Sequence, residues 1–286
     1  MHRPSYVTDD SLYHFIREAI TEDVGDGDHS TLASVPADLQ HKAKLLIKDD
    51  CILAGVDLAI EIFRFYDKNL KVEVRKKDGD LVKKGDIAFV VSGSAQSILT
   101  TERLVLNCMQ RMSGIATYTN EMVKLLDGTK TKILDTRKTS PNFRMCEKWA
   151  VYIGGATNHR FGLFDMIMLK DNHNDYAGGI TKAVQSTVEY LKNQNKQLKI
   201  EVETRNIDEV KEALSTNAVD IIMLDNMSID EMKEAVALIG NSALTEASGN
   251  INHKTIRAVA ETGVDYISSG ATIYSASIKD MSLKAF

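Results

Sequence analysis

The first regular pattern along the chain is helical. Over residues 10–20 the apolar positions Leu12, Phe15, Ile16, Ala19 and Ile20 recur every three or four residues, which predicts an amphipathic helix. It runs into Glu22-Asp23-Val24-Gly25-Asp26-Gly27-Asp28, an acidic, glycine-rich loop without the carboxylate spacing or closing Glu of an EF-hand. Residues 43–93 are strand-rich. Short β-prone runs stand at 44–48, 71–74 and 87–91, with a helical stretch at 57–66 between the first two, and Asp78-Gly79-Asp80 and Lys84-Gly85-Asp86 supply turns. Segment 78–86 has the look of a biotinyl or lipoyl carrier hairpin, yet no lysine occupies its tip in the setting such carriers modify. Residues 99–127 then read as one helix, with Leu104, Leu106, Met109, Met112, Ile115 and Ala116 as core positions and Gly114 as a point of close packing.

After Thr129 the rhythm changes. Apolar strands at 131–134, 165–169, 198–202, 220–224, 243–247 and 265–268 alternate with helical stretches at 180–192, 207–216, 229–238 and 254–262. Such βα repetition predicts parallel strands covered by helices. Six strands at this spacing favour an α/β barrel, incomplete by count, over an open doubly wound sheet. No glycine-rich dinucleotide fingerprint follows the first of them, which also counts against the open sheet. The expected division is an N-terminal domain with its connecting helix over 1–128, open to including the tail 271–286, and a barrel domain over 129–270.

Composition narrows the function classes. With 286 residues, 43% hydrophobic and 26% charged, the chain has the make-up of a globular protein with room for a sizeable core. No apolar run nears the roughly 20 residues of a membrane helix, and Met1-His2-Arg3-Pro4-Ser5-Tyr6 lacks the apolar core of a secretory signal. Cys51, Cys108 and Cys146 are odd in number and far apart, forming neither a disulfide framework nor a zinc ladder, so a reducing cytoplasm is expected. A net charge of −5 argues against nucleic acid as the main partner. Residues 132–173 nonetheless carry seven Lys/Arg against four Asp/Glu, a basic island that suits a small anionic ligand.

Barrel chemistry sits where strands end and βα loops begin. In order, the expected ends are Asp135-Thr136-Arg137-Lys138-Thr139, Lys170-Asp171-Asn172-His173, Glu201-Val202-Glu203, Asp225-Asn226, Glu246-Ala247-Ser248-Gly249-Asn250 and Ser268-Ser269-Gly270. The early strands bring cations: Arg137, Lys138 and Lys170, with His159-Arg160 in the loop between. Glu203 and Asp225 follow as carboxylates, and the last ends are Ser-Gly pairs whose amides suit a phosphate. Together they suit an anionic substrate and a magnesium-bearing phosphoribosyl donor. Each group also has an ordinary structural alternative. Arg137 and Lys138 could pair with Asp135, Glu203 could partner a lysine, His159 could be satisfied within its loop, and Ser248-Gly249 could be a tight turn.

The motifs are recognisable in combination. Asp135-Thr136-Arg137-Lys138-Thr139, Gly154-Gly155-Ala156-Thr157-Asn158-His159-Arg160, Met168-Leu169-Lys170-Asp171-Asn172-His173, Leu224-Asp225-Asn226 and Glu246-Ala247-Ser248-Gly249 resemble signature segments of the quinolinate phosphoribosyltransferases. So do the acidic loop at 22–28 and the helix running from Glu102-Arg103 through Ser113-Gly114-Ile115-Ala116-Thr117. Ala156 stands where a third glycine is common, and Ser140-Pro141-Asn142 where Thr-Pro-Gly is usual; Asn tolerates positive φ, so that loop is expected to persist.

The resemblance implies an N-terminal α/β sandwich followed by an incomplete (β/α) barrel, and a homodimer in which Arg103 is donated across the interface. It implies phosphoribosyl transfer from phosphoribosyl pyrophosphate to quinolinate with decarboxylation, with Mg2+ and no redox cofactor. On that pattern Arg103, Arg137, His159, Arg160 and Lys170 would hold quinolinate, and Lys138 would reach the pyrophosphate. Glu203 and Asp225 would hold magnesium and the ribose hydroxyls, and Ser248, Gly249, Ser269 and Gly270 the 5-phosphate. Lys138, Glu203 and Asp225 are the expected catalytic groups. The readings left open beside it are a nicotinate or other base phosphoribosyltransferase, a non-catalytic metabolite-binding barrel and a carrier-domain protein.

Overall fold

Antiparallel pairing organises the first part of the chain and parallel pairing the second. The computed structural model describes residues 3–286. Two compact units divide it: Met1–Asn120 with Thr139–Gly155 and Ile273–Phe286, and Glu121–Lys138 with Ala156–Thr272.

In the first unit, α1 (Asp9–Val24) opens with a reciprocal cap, Thr8 Oγ1 accepting the Ser11 N–H at 3.1 Å and Ser11 Oγ accepting that of Thr8 at 2.9 Å. The acidic loop is spent locally: Asp28 caps α2 (His29–Ser34) by accepting the Thr31 N–H at 3.1 Å. β1 (Gln40–Ile47) buries Ala43, Leu45 and Ile47, the period of two that one covered sheet face demands. β2 (Cys51–Ile52), α3 (Val56–Tyr66), β3 (Lys71–Val74), β4 (Leu81–Val82) and β5 (Ile87–Ser94) follow. The sheet runs C-terminal strand (Met281–Ala285), β1, β5, β3, antiparallel throughout. α3 buries Leu58, Ala59, Ile62 and Phe63, and the Phe63 ring meets Phe89 of β5 edge to face at 5.9 Å.

Segment 78–86, whose β4 pairs with β2 rather than folding into a hairpin, has a structural use. Gly55 at the start of α3 has φ 97 and carries no side chain to cap the helix, so Asp78 does so, accepting the N–H groups of Val56 at 2.8 Å and Asp57 at 3.2 Å. A Cβ on Gly55 would also press on the Met109 backbone at 3.2 Å. Lys83 of the same segment pairs with Asp50 at 2.9 Å.

α4 (Ala95–Lys124) buries Val105, Leu106, Met109, Met112, Ile115 and Ala116, and Gly114 lets the Ser277 carbonyl approach where a Cβ would stand. α5 (Arg144–Ile153) was not foreseen, although Arg144, Glu147 and Lys148 recur at helical spacing; in the fold residues 145–151 are all buried, Glu147 and Lys148 included. Its Glu147 is fully buried and accepts from Arg111 Nη2 at 2.8 Å and from the Ser140 N–H at 2.8 Å, while Arg111 also donates to the carbonyls of Ala276 and Ile273. Asn142 adopts φ 60, as the loop at 140–142 required of it.

The second unit contains β6 (Lys132–Leu134), β7 (Ile167–Leu169), α6 (Asp171–Ala177), α7 (Ile180–Asn193), β8 (Ile200–Thr204), α8 (Ile207–Ser215) and β9 (Ile221–Asp225). It continues with α9 (Ile229–Ile239), β10 (Leu244–Ser248), α10 (Ile256–Ala260), β11 (Tyr266–Ser268) and α11 (Ala271–Tyr274). The parallel strands lie in the order β6-β11-β10-β9-β8-β7. That is chain order around a ring, opened between β6 and β7: an incomplete barrel. Residues 157–159 cover the free edge of β6, the Thr157 N–H donating to Ile133 O at 2.9 Å and the Asp135 N–H to Thr157 O at 3.3 Å. Along β8, Glu201 and Glu203 share the face opposite Val202, and the register sets Glu203 and Glu246 on either side of Met223 and Ser248 beside Asp225.

Replacing Asp78 by Ala should lower stability by about 1 kcal/mol, the usual cost of a lost helix cap, whereas Asn should retain most of it. Urea denaturation of the two variants is the measurement.

Candidate active site

The barrel's polar groups divide by depth. Asp135, Glu201 and Glu246 have no exposure, while Glu203 is buried near the rim and Asp225, Lys170 and Lys138 reach solvent. Asp135 is engaged within the barrel: its Oδ2 accepts from Asn158 Nδ2 at 2.7 Å and its Oδ1 from the His159 N–H at 2.8 Å. The expected strand end therefore fixes the loop carrying His159 and Arg160.

Arg137 is half-buried, and its Nε is buried with no hydrogen-bond partner among the described residues. Arg160 donates to Met166 O at 3.1 Å; burial, and next the charge of Arg137, depress its pKa, so two guanidinium groups lie close together. Lys170 Nζ stands 3.4 Å from Glu203 Oε2. The Glu203 pKa is raised by burial, drawn back by Lys170, and raised again by Asp225 and Asp171. These shifts place Lys170, Glu203, Asp225 and Asp171 in one electrostatic neighbourhood.

The phosphate-side residues are mixed. Ser248-Gly249 ends β10, with φ 100 at Gly249 and φ 50 at Asn250, so the chain turns sharply there. Ser269 is already engaged: its N–H donates to Leu134 O at 3.0 Å and its hydroxyl to Ile251 O at 3.1 Å. Gly270, buried, leads into the N-terminus of α11. Arg103 belongs to the other unit, exposed on α4.

His159, with only 6% of its side chain exposed, has both ring nitrogens in use. Nε2 lies 3.0 Å from Glu201 Oε2 and 3.3 Å from Glu246 Oε2, and Nδ1 receives the Arg160 backbone N–H at 2.8 Å. Burial opposes a charged ring, but the bonds to Glu201 and Glu246 outweigh it and pull the pKa up to about 10. The Arg160 amide opposes that charge directly, since a protonated Nδ1 would set two N–H groups head to head. The imidazolium with two carboxylates, and the neutral ring with one of the two carboxyls protonated, hold the same number of protons. Geometry selects the second. Burial likewise raises the Glu201 pKa, against the bond from His159 and with the help of Glu246.

These three side chains, their ligand atoms within 4.8 Å of one another, also have the composition of a metal site. The hydrogen bonds disfavour it: an Nδ1 that accepts leaves the proton on Nε2, the nitrogen an ion would need. Sequence reasoning assigned roles to Glu203 and Asp225 but to neither Glu201 nor Glu246. Glu201 and Glu246 were visible only as strand-end residues, with the alternation Ile200-Glu201-Val202-Glu203 as the available signal.

At neutral pH, nitrogen-15 NMR of His159 should report the neutral ring protonated at Nε2; an imidazolium signal would reverse the assignment. A raised carboxyl pKa means the folded state holds its proton longer than the unfolded state. Stability should therefore fall as pH rises from the ordinary carboxylate range through neutrality, and Glu201→Gln, which still accepts from Nε2–H, should flatten that fall.

The comparisons with known proteins agree with this layout. The model of the quinolinate phosphoribosyl transferase N-terminal domain matches residues 28–113, and that of the C-terminal domain residues 115–284. A nicotinate-nucleotide pyrophosphorylase [carboxylating] of Arabidopsis thaliana is 47% identical over 296 residues, covering 98% of this chain and 84% of its own. A probable enzyme of the same name from Synechocystis is 42% identical, covering 94% and 91%. The solved nicotinate-nucleotide pyrophosphorylase from Francisella tularensis superposes with a TM-score of 0.90 at 39% identity, over 100% of both chains. A human nicotinic acid phosphoribosyltransferase, at 12% identity and a TM-score of 0.61, shares the fold alone. Matches that span both domains, joined to relatives approaching half identity across almost every residue, settle the membership: the chain belongs to the quinolinate phosphoribosyltransferase family.

Proposed function

We propose that the chain transfers the phosphoribosyl group of phosphoribosyl pyrophosphate to quinolinate. The products are nicotinate mononucleotide, pyrophosphate and carbon dioxide, a step of NAD biosynthesis. The observation that carries this reading is the paired guanidinium groups of Arg137 and Arg160, one with an unpartnered buried Nε, on the same barrel as the Lys170–Glu203–Asp225 group. A dicarboxylate on a small ring offers planar acceptors to planar donors. A single-carboxylate base such as nicotinate would need fewer of them.

In this reading Arg137, Arg160 and Lys170 receive the two carboxylates. His159, both of whose ring nitrogens are engaged, contributes by holding the Arg160 backbone. The pyridine nitrogen attacks the ribose anomeric carbon as the bond to pyrophosphate breaks and its electron pair leaves with pyrophosphate. Lys138 stabilises that leaving charge. Glu203 and Asp225 face the ribose, where their negative charge favours an oxocarbenium-like centre. The quaternary ring nitrogen then takes up the electron pair released as the adjacent carboxylate leaves as carbon dioxide, and a proton replaces it. No protein nucleophile is required; positioning and electrostatics supply the acceleration.

Glu203 and Asp225 suit magnesium: both are carboxylate oxygen donors, and they stand at the ends of neighbouring parallel strands. Magnesium, when bound, would offset the pyrophosphate charge. Ser248, Gly249 and Gly270 are assigned to the 5-phosphate, with Ser269 bracing their loop through Leu134 and Ile251. We further infer a homodimer in which Arg103 of one copy completes the quinolinate pocket of the other; its exposure on α4 supports this. Cytoplasmic residence accords with the free thiols of Cys51, Cys108 and Cys146. No helix among the described residues is long and apolar enough to cross a membrane.

Incubation with quinolinate, phosphoribosyl pyrophosphate and magnesium should release nicotinate mononucleotide and carbon dioxide in equal amounts. Turnover of nicotinate with none of quinolinate would transfer the assignment to a nicotinate enzyme. Arg137→Ala should raise the KM for quinolinate by about 10- to 100-fold, the worth of a charged hydrogen bond, with the melting temperature preserved. Glu203→Gln should lower kcat and raise the magnesium needed for half-maximal rate; normal turnover at low magnesium would remove Glu203 from the metal.

A further inference from the structure

One residue at the mouth of the barrel joins two groups that the reaction needs in a fixed relation. Asn226 follows β9 in the left-handed region, φ 55, and its backbone N–H donates to Ser248 O at 2.9 Å. That conformation turns its side chain back across the gap between β9 and β10. Its Nδ2 donates to Asp225 Oδ2 at 2.8 Å, and its Oδ1 accepts from Asn250 Nδ2 at 3.3 Å. A Cβ on Gly249 would land on Asn226 Oδ1 before any other atom, so the glycine is required as much by the amide beneath it as by its own φ of 100.

We propose that Asn226 is a positioning residue that couples the Asp225 carboxylate to the phosphate-binding turn at 248–250. The inference rests on the assignments of Asp225 and Ser248-Gly249 made above. The amide has both faces in use. Its donor end occupies one lone pair of Asp225 Oδ2, which fixes the carboxylate plane and leaves Oδ1 for the ribose or a cation. Its acceptor end holds Asn250, the residue that sets the direction of the turn after Gly249. A phosphoribosyl donor carries its 5-phosphate and its ribose hydroxyls at a fixed separation. A strut between the two receiving groups therefore favours the donor and leaves the acceptor base untouched. Asparagine suits the position twice over, since it tolerates the left-handed backbone and carries a donor and an acceptor on one planar group.

The test is a double-mutant cycle on the whole enzyme with Asn226→Gly, Asn250→Ala and their combination, read as separate KM values for the two substrates and as the magnesium requirement. Asn226→Gly keeps the backbone conformation and deletes only the amide. It should raise the KM for phosphoribosyl pyrophosphate by about 10-fold, as loss of a hydrogen bond to a charged group does, and raise the magnesium requirement. The KM for quinolinate should stay within about 2-fold. Asn250→Ala should raise the donor KM by less, and should add nothing when Asn226 is already Gly, because its bond runs through Asn226 Oδ1. Equal increases in both KM values with a lowered melting temperature, or fully additive effects, would reduce Asn226 to a structural residue. An unchanged donor KM in Asn226→Gly would overturn the coupling. Calorimetric binding of phosphoribosyl pyrophosphate with magnesium to the parent and to Asn226→Gly separates the two levels. If the parent binds the donor but does not turn over quinolinate, the acceptor assignment is at fault; if both bind the donor equally, the strut is.

Discussion

Buried negative charge is the constraint around which the barrel is arranged. Asp135, Glu201 and Glu246 are removed from water entirely, and isolated carboxylates in that setting would cost several kcal/mol each. The chain answers with hydrogen donors from one short stretch: Asn158 and the His159 amide on Asp135, and the His159 ring on Glu201, with Glu246 Oε2 3.3 Å from the same ring nitrogen. Because that stretch also covers the free edge of β6, the neutralisation of the interior and the closure of the strand edge are one event. Arg160 inherits its placement from it, and with Arg160 the cationic side of the site.

Above this layer the sheet becomes wet and the chemistry changes. Glu203 stands one step nearer the rim than Glu201 and Asp225 a further step out, and there a lysine rather than a histidine meets Glu203. The same side-chain type thus has two settings fixed by depth: inside, a carboxyl that holds a ring; outside, a carboxylate that pairs with a lysine at the rim. Alternation along β8 delivers both from one strand.

Most of the architecture was legible from the chain alone. The βα alternation after Thr129 led to a barrel, and β3 fell on the residues expected of it. β8 ran two residues further than its apolar pattern suggested, because Glu203 on one face and Thr204 on the other, its hydroxyl donating to Met223 O, are both polar and so look like a strand that has ended. α5 went unread although its polar positions recur at helical spacing, and the burial of Glu147 and Lys148 within the fold was not legible from residue type. The strand Met281–Ala285 is only five residues long and gains its meaning from β1, far away in the sequence. At the site, residue types at strand ends indicated which groups converge. They gave no view of how far each lies below the surface, so the engagement of His159 and Ser269 had to come from coordinates.

The order in which the chain visits its two units bears on its synthesis. It leaves the first after Asn120, returns for 139–155, and comes back a last time at Ile273. Strand β1 then awaits its outer neighbour until Met281–Ala285 emerges, long after β1 itself. A nascent chain therefore exposes one edge of β1 while the whole intervening segment is made, a period in which unpaired strand edges invite association with other chains. Neither unit is a contiguous segment that a simple truncation would release, and removing the last dozen residues would strip the sandwich of an edge while sparing every group in the barrel.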